Sequence, residues 1–454
     1  MTSYAAGPVA STLIQPPTAH DHDPHHDHEG PRDGPPVEVA AAAEQQHLPP
    51  EHAAAEERPM PIDVAPRLRR LPPYLFGRIN AAKLRMRQEG RDIIDLGMGN
   101  PTDATPEPVV EKLAEAARDP RNHRYQMAAS GIAGLKREVA KKYDHKYGVK
   151  LDPDEEVIVT IGSKEGISHL CLALLGPGDT AVVPDPAFPI HLYAPAMAGA
   201  NVIRIPLGTD QAFLDRVEHS LRDLFPRPKL LILNYPHNPT AATVDPDFMQ
   251  AAADLCNRYG VICLSDFAYG DIGFDGYKPP SFLAARGAKR CGVEFTTMSK
   301  SYNMAGWRVG FCCGNREMVA ALKTIKGYYD YGSFNPIQIA GVIAMREFAG
   351  LPDDQAGKYE ARRDEVCRGL DKLGWRYERP RASMFVWARI ADEHLKAGED
   401  DIDFSIRMLD EAEVALAPGS GFGEQGRQWV RVALVENEQR LRQAMRNLHR
   451  ALVA

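Results

Sequence analysis

Several things are scarce in this 454-residue chain, and each scarcity excludes a class of protein. Cysteine is sparse: Cys171, Cys256, Cys263, Cys291, Cys312, Cys313 and Cys367 are scattered through apolar segments with no CxxC pair. An odd number without a framework excludes a disulfide scaffold and fits a reducing cytoplasm, so a cytoplasmic location is expected. The neighbours Cys312 and Cys313 read as two strand residues facing opposite sides. No apolar run is long enough to span a bilayer, and the first residues lack the basic segment of a signal peptide, so no membrane partner is expected. Residues 1–66 hold almost no aromatic side chains and only Arg32 and Arg58 against eleven acids. Their net charge of −9 leaves +2 for the rest of a chain at −7, and no basic patch suggests a nucleic-acid partner.

What is present in residues 1–66 is proline, twelve of them, with alanine, histidine and glutamate. Such a segment buries too little apolar surface to offset ordering entropy, so disorder is expected. The run HDHDPHHDH (residues 20–28) is metal-capable, but without rigid geometry it reads as an adventitious chelator, and no metal site is expected. From Arg67 an extended apolar anchor and an amphipathic helix lead to DIIDLGMGNPTDATP (residues 92–106), a strand entering a Gly/Pro-rich loop.

Residues 108–335 alternate short β-branched runs with helical periods: VIVTIG, TAVVPDP, NVIRIPL, KLLILNYP, VICLSD and FTTMSK, separated by helices. Near-continuous apolarity in each run indicates a mostly parallel sheet buried on both faces, an α/β domain covered by helices. Beyond Asn335 a long helix, the strands MFVWARI, VALAPG and WVRVALV, and a final helix describe a smaller α+β domain, grouped with residues 67–107.

Ligands in open α/β sheets sit beyond the carboxyl ends of the strands, so the residues after each run carry the functional reading. Gly162, Ser163 and Lys164 open a helix whose terminal amides suit an anion. Phe188 follows TAVVPDP, Asn238 lies in HNPT, and Asp266 with Tyr269 follows VICLS. Lys300 follows FTTMS within TTMSKSYNMAGWRVG, with Thr297, Ser299 and Arg308 close in sequence. A lysine flanked by serines is ordinarily a solvated loop residue; a carboxylate, an amide, a phenol and an anion-binding turn around it give it a chemical reading instead. Arg431, inside WVRVALV, needs a partner that is either an internal acid or an anionic ligand.

Taken in order, GSKEG, PDPAFP, NYPHNPT, SDFAYGD, SKSYNMAGWRVG and WVRVAL resemble the class I/II aminotransferases, pyridoxal-phosphate enzymes of fold type I. RLPPYLF, MGNPTDATP, VTIGSKEG, MSKSYNMAGWR, YDYGSF and VALVEN look like the bacterial alanine (glutamate–pyruvate) aminotransferase branch, with LL-diaminopimelate and aromatic or methionine aminotransferases as relatives. The resemblance implies a seven-stranded, mostly parallel sheet and a ping-pong exchange between L-alanine and 2-oxoglutarate. It implies Lys300 as the lysine that joins pyridoxal 5'-phosphate and shuttles the Cα proton. Asp266 would pair with the ring nitrogen, Tyr269 and Asn238 would bond the phenolic oxygen, and Phe188 would stack on the ring. Ser163, Lys164, Thr297 or Ser299, and Arg308 would hold the phosphate, joined by Tyr125 from the partner of a homodimer. Arg431, Asn238 and the backbone at Gly99 would bind the substrate carboxylate.

The pattern is departed from in three places. NPTA replaces NPTG, and Thr297 stands where a glycine or serine is common. YGSFN (residues 331–335) holds no second arginine, so a small apolar side chain suits the substrate and glutamate's distal carboxylate needs another donor, Lys326 or one of Tyr328, Tyr329 and Tyr331. The same fold hosts C–S lyases, which share Lys300, Asp266 and Arg431, and effector-binding regulators, which keep the lysine but carry a winged-helix DNA-binding domain upstream, unlike the acidic, Pro-rich segment here.

Overall fold

The computed structural model of the chain describes residues 62–72, 76–126 and 129–453. The tail and its His-rich run lie outside the described residues, except that residues 62–65 are irregular and the short helix α1 (Pro66–Arg69) follows them. Asp63–Ala454 form one compact unit. Helix α2 (Phe76–Gln88) runs into strand β1 (Ile94–Asp95), then α3 (Glu107–Arg118) and α4 (Ala133–Tyr147). The last turn of α4 is closed by Gly148 at φ 67°, a left-handed position that suits glycine, whose N–H reaches the Asp144 and Tyr143 carbonyls.

The main sheet arises from alternation. Strands β2 (Val157–Thr160), β3 (Thr180–Asp185), β4 (Asn201–Pro206), β5 (Leu230–Leu233), β6 (Ile262–Asp266) and β7 (Gly292–Thr297) are followed or preceded by α5 (Ser163–Leu174), α6 (Pro189–Met197), α7 (Gln211–Asp223), α8 (Pro246–Tyr259) and α9 (Ala288–Cys291), and β8 (Gly310–Gly314) closes the set. Their order is β2-β8-β7-β6-β5-β3-β4, parallel throughout except β8, which runs antiparallel to both its neighbours. The seven-stranded, mostly parallel α/β sheet expected from the sequence is therefore the one found. Ile158, Val183, Ile232 and Phe295 pack on one face, and Val159, Val182, Leu231 and Leu233 on the other. Burial on both faces is why these strands read as continuous apolar runs rather than alternating ones. Cys312 and Cys313 obey the same period, one in each core.

After α10 (Arg316–Tyr329), α11 (Asn335–Glu347) and the long α12 (Leu351–Lys372) the chain builds a second sheet from β9 (Arg376–Tyr377) and β10 (Phe385–Arg389), then α13 (Asp401–Ala412), β11 (Val414–Ala415), β12 (Ala417–Pro418), β13 (Trp429–Ala433) and α14 (Glu438–Val453). This sheet is antiparallel in the order β12-β13-β10-β9, while β11 pairs in parallel with β1. Val386, Ala388, Val430 and Val432 join a core with Val366, Leu370, Phe404 and Met408, and with Leu441, Ala444, Met445 and Leu448 of α14. The 3–4 spacing on α14 presents one apolar stripe to that core. Arg431 is paired across the strands with Trp387, so it points to the face opposite Val430 and Val432. Among the described residues no helix is long and apolar enough to cross a membrane.

Candidate active site

Of the thirteen residues to which the resemblance gives a cofactor or substrate role, twelve line one cavity of about 440 Å³: Gly99, Ser163, Lys164, Phe188, Asn238, Asp266, Tyr269, Thr297, Ser299, Lys300, Arg308 and Arg431. They come from the carboxyl ends of β2, β3, β5, β6 and β7, from the loop after β1, and from β13. Tyr125 is the exception: it is 84% exposed, its ring 5.2 Å from that of Tyr331, and it does not line this cavity in its own chain.

One end of the cavity is built for an anion. Helix α5 begins at Ser163 after Gly162, which sits at φ 77°, and a side chain on Gly162 would fall on the Arg308 guanidinium. Glycine is needed there both for the backbone conformation and for the room. Arg308 itself takes a left-handed φ of 58°, rare for a side chain of its size, and donates to the Ala305 carbonyl at 2.8 Å. Such a backbone is retained where the surroundings impose it, and here it aims a guanidinium across the first turn of α5. Thr297 Oγ1 donates to the Val309 carbonyl and lies 2.9 Å from Ser299 Oγ, so both hydroxyls are fixed at the end of β7.

The other elements carry the reactive groups. Asp266 ends β6 almost fully buried, its Oδ2 2.9 Å from His191 Nε2. Neither His191 nor Asn234 was anticipated from the sequence. His191 stands one helical turn after Phe188 on α6, a spacing that places both on the same face. Asn234 Nδ2 donates to the Asp266 carbonyl at 2.7 Å while its Oδ1 accepts the Asn238 N–H at 2.9 Å, which locks the HNPT turn to the end of β6. Tyr269 Oη stands 3.5 Å from Asn238 Nδ2, and burial raises its phenol above the usual value. The Lys300 amine donates to the Gly99 carbonyl at 2.6 Å. Burial first, then the charges of Arg431 and Arg308, lower its pKa to about 8, against the pull of Asp266.

Arg431 closes the far end. Its Nη1 donates to Asn238 Oδ1 at 2.7 Å and its Nη2 to the Gly97 carbonyl at 2.8 Å. The guanidinium carbon lies 4.1 Å from the Phe385 ring centre and 4.7 Å from that of Phe422, a cation held between two aromatic faces. Gly99 approaches Phe385 so closely that an added methyl would sit 2.7 Å from its ring. The sequence anticipated the arginine and the glycine but not the two phenylalanines.

One expectation is overturned. Lys326 cannot meet a substrate carboxylate, because it is fully buried and its amine lies 2.9 Å from Glu165 Oε1 and 2.9 Å from Asp330 Oδ2. One partner, Asp330, lies four residues on and caps α10; the other, Glu165 on α5, is invisible to local sequence spacing. The two carboxylate partners, Glu165 and Asp330, form with His169 the one group of potential metal ligands among the described residues, and the ammonium already neutralises part of their charge. Tyr328, Tyr329 and Tyr331 are exposed and do not line the cavity of their own chain.

Comparison with known proteins agrees with this arrangement. Residues 91–448 match the family described as aminotransferase class I and II. The glutamate-pyruvate aminotransferase AlaC of Escherichia coli (strain K12) is 46% identical over 84% of this chain and 92% of its own length. An LL-diaminopimelate aminotransferase of Moorella thermoacetica is 40% identical over 86% of this chain and 98% of its own. Among solved structures, substrate-bound BacF of Bacillus subtilis superposes with a TM-score of 0.77 at 32% identity, covering 86% of this chain and 98% of that one. A Thermus thermophilus aspartate aminotransferase mutant superposes with a TM-score of 0.78 at 27% identity, covering 86% and 100%. Family and fold are known to use pyridoxal phosphate and to act on amino acids and 2-oxo acids. The chain belongs to the class I and II aminotransferases.

Proposed function

We propose that this aminotransferase exchanges the amino group between L-alanine and 2-oxoglutarate, giving pyruvate and L-glutamate. The observation that carries the substrate reading is the placement of cations in the cavity. Besides Lys300, the lining cations are Lys164 and Arg308 at the anion-binding end and Arg431 at the other. One carboxylate is thus provided for at the substrate end, and no further lysine or arginine among the lining residues meets a second. A methyl side chain fits that arrangement; the distal carboxylate of glutamate or 2-oxoglutarate needs a donor from outside this set, and with Lys326 taken up the exposed Tyr328, Tyr329 and Tyr331, presented to a second copy, are left for it. The similarity to the Escherichia coli glutamate-pyruvate enzyme supports the same reading.

The residues fit pyridoxal 5'-phosphate: a buried carboxylate, a phenol and amide pair, a lysine with lowered pKa, and an anion cradle at a helix N-terminus all face one cavity. Bound there, the cofactor supplies an aldehyde that takes the amino group and a ring that accepts the Cα electrons. Asp266, backed by His191, would hold the proton on the ring nitrogen. Tyr269 and Asn238 would bond the phenolic oxygen, with Phe188 placed to stack on the ring. Ser163, Lys164, Thr297 or Ser299, and Arg308 would hold the phosphate. Arg431 and Asn238 orient the substrate so that its Cα–H faces the Lys300 amine, which takes the proton and returns it. Tyr125 completes the phosphate site of a second copy in a homodimer; its exposed ring, 5.2 Å from that of the exposed Tyr331, suits burial against that copy.

A lysine with a pKa near 8 has about 10% of its amine neutral at pH 7, against about 0.03% for an ordinary lysine. The rate at which apoprotein takes up pyridoxal phosphate should therefore rise with pH and level off above about 8. A rate still climbing through pH 10 would contradict the environment assigned to Lys300. The substrate reading is tested by single-turnover rates of the holoenzyme with alanine, glutamate, methionine, phenylalanine and diaminopimelate. Alanine and glutamate should convert the cofactor fastest. Faster conversion by diaminopimelate would move the chain to the activity named for its 40% identical relatives, and pyruvate release without a 2-oxo-acid acceptor would make it a lyase.

A further inference from the structure

Asp271 lies two residues beyond Tyr269, with its side chain 7% exposed, and three side chains from two other segments meet on its carboxylate. Lys142 Nζ is 2.6 Å from Oδ2, Lys146 Nζ is 2.7 Å from Oδ1, and Ser301 Oγ donates to Oδ2 at 2.9 Å. The two lysines are one turn apart on α4, and Ser301 directly follows Lys300. Burial opposes the charge on Asp271, but the two ammonium groups overcome it and hold the carboxyl well below its usual range. Asp271, Lys142 and Lys146 line a separate cavity of about 720 Å³ rather than the one around Lys300, so none of them touches the reacting groups.

The need for such a tie follows from the sheet. Strands β6 and β7 are in register as far as Asp266 and Phe295, and the Phe267 N–H reaches the Phe295 carbonyl at 2.8 Å. Past that point the two chains separate into turns, one carrying Tyr269 and the other Lys300, and among the described residues no further backbone hydrogen bond joins them. Ser301 is 2% exposed, and its hydroxyl bridges the gap to Asp271.

We infer that Asp271 and Ser301 are positioning residues: their hydrogen bond fixes the Tyr269 turn against the Lys300 turn, so that phenol and amine meet the same reacting group at a set separation. α4 supplies the anchor through Lys142 and Lys146. The inference rests on the roles given above to Lys300 and Tyr269. A misplacement of about 1 Å can cost about 10²-fold in rate, so a bond that holds a turn to a fraction of that is worth about 10-fold.

The test is Ser301→Ala in the holoenzyme, which deletes one hydroxyl and leaves Asp271 paired to both lysines. Expected are a kcat about 10-fold lower with the amino-acid KM within about twofold, and a shifted pH midpoint of the bound cofactor's visible band. Ser301→Thr, which keeps the hydroxyl, restores both. Asp271→Asn strands two lysines and lowers Tm; added to Ser301→Ala it should cost little further kcat, since both act through one bond. A lowered Tm in Ser301→Ala with unchanged kcat and pH midpoint overturns the positioning role, as does a further large kcat loss in the double variant. Turnover surviving in Lys300→Ala would instead remove the reading beneath it, so the two failures are distinguishable.

Discussion

Lys300→Ala should lower kcat/KM by more than about 10⁴-fold while leaving the fold intact. Proton shuttling alone contributes about 10²–10⁴-fold in enzymes, and the covalent role of the amine adds to it. The fold survives because Lys300 sits in a turn after β7, outside the packed cores, and its amine is bonded to the Gly99 carbonyl at the cavity wall. Lys300→Arg should be as inactive, since a guanidinium stays charged and offers no neutral amine at working pH. Initial rates together with a melting curve check this: full turnover in a folded alanine variant would refute the assignment, and an unfolded variant would mean that the lysine is structural.

Arg431→Lys should raise the KM for amino acid and lower kcat/KM by about 10²-fold, with the absorption of the bound cofactor unchanged. The guanidinium is planar, held edge-on by Asn238 and Gly97 and flanked by Phe385 and Phe422. A planar guanidinium so fixed matches the geometry of a carboxylate, and an ammonium in its place offers one contact without the stacking. Loss of one charge-assisted bond at about 1.5–3 kcal/mol sets the expected factor. Steady-state kinetics with alanine decide it. If KM stays put and the cofactor spectrum moves, Arg431 belongs to the cofactor rather than the substrate.

How much of this was legible in the sequence depends on how far apart the partners lie. Strands buried on both faces announce themselves as apolar runs, and the rule that ligands gather at strand ends turned those runs into Asp266, Asn238 and Lys300. Arg431 was legible because an arginine within WVRVALV conflicts with its apolar neighbours. His191 and Asn234 were missed because each acts through Asp266, and a polar residue serving another polar residue leaves no periodic trace. Lys326 was misread for a related reason. Its charge looked available on α10, while Glu165, 161 positions earlier, takes it up in the fold. Phe385 and Phe422 carry no mark that separates a ring around a guanidinium from a ring in a core. The tie from Asp271 to Ser301 joins two turns whose separation only the sheet register defines.

The measurement that bears most directly on the account is hydride reduction of the purified holoenzyme followed by peptide mapping. Reduction fixes the cofactor to whichever amine carries it, and the account predicts that mass on the peptide containing Lys300 and on no other. Modification of Lys164, Lys326 or a lysine outside the cavity, with Lys300 unmodified, would contradict it.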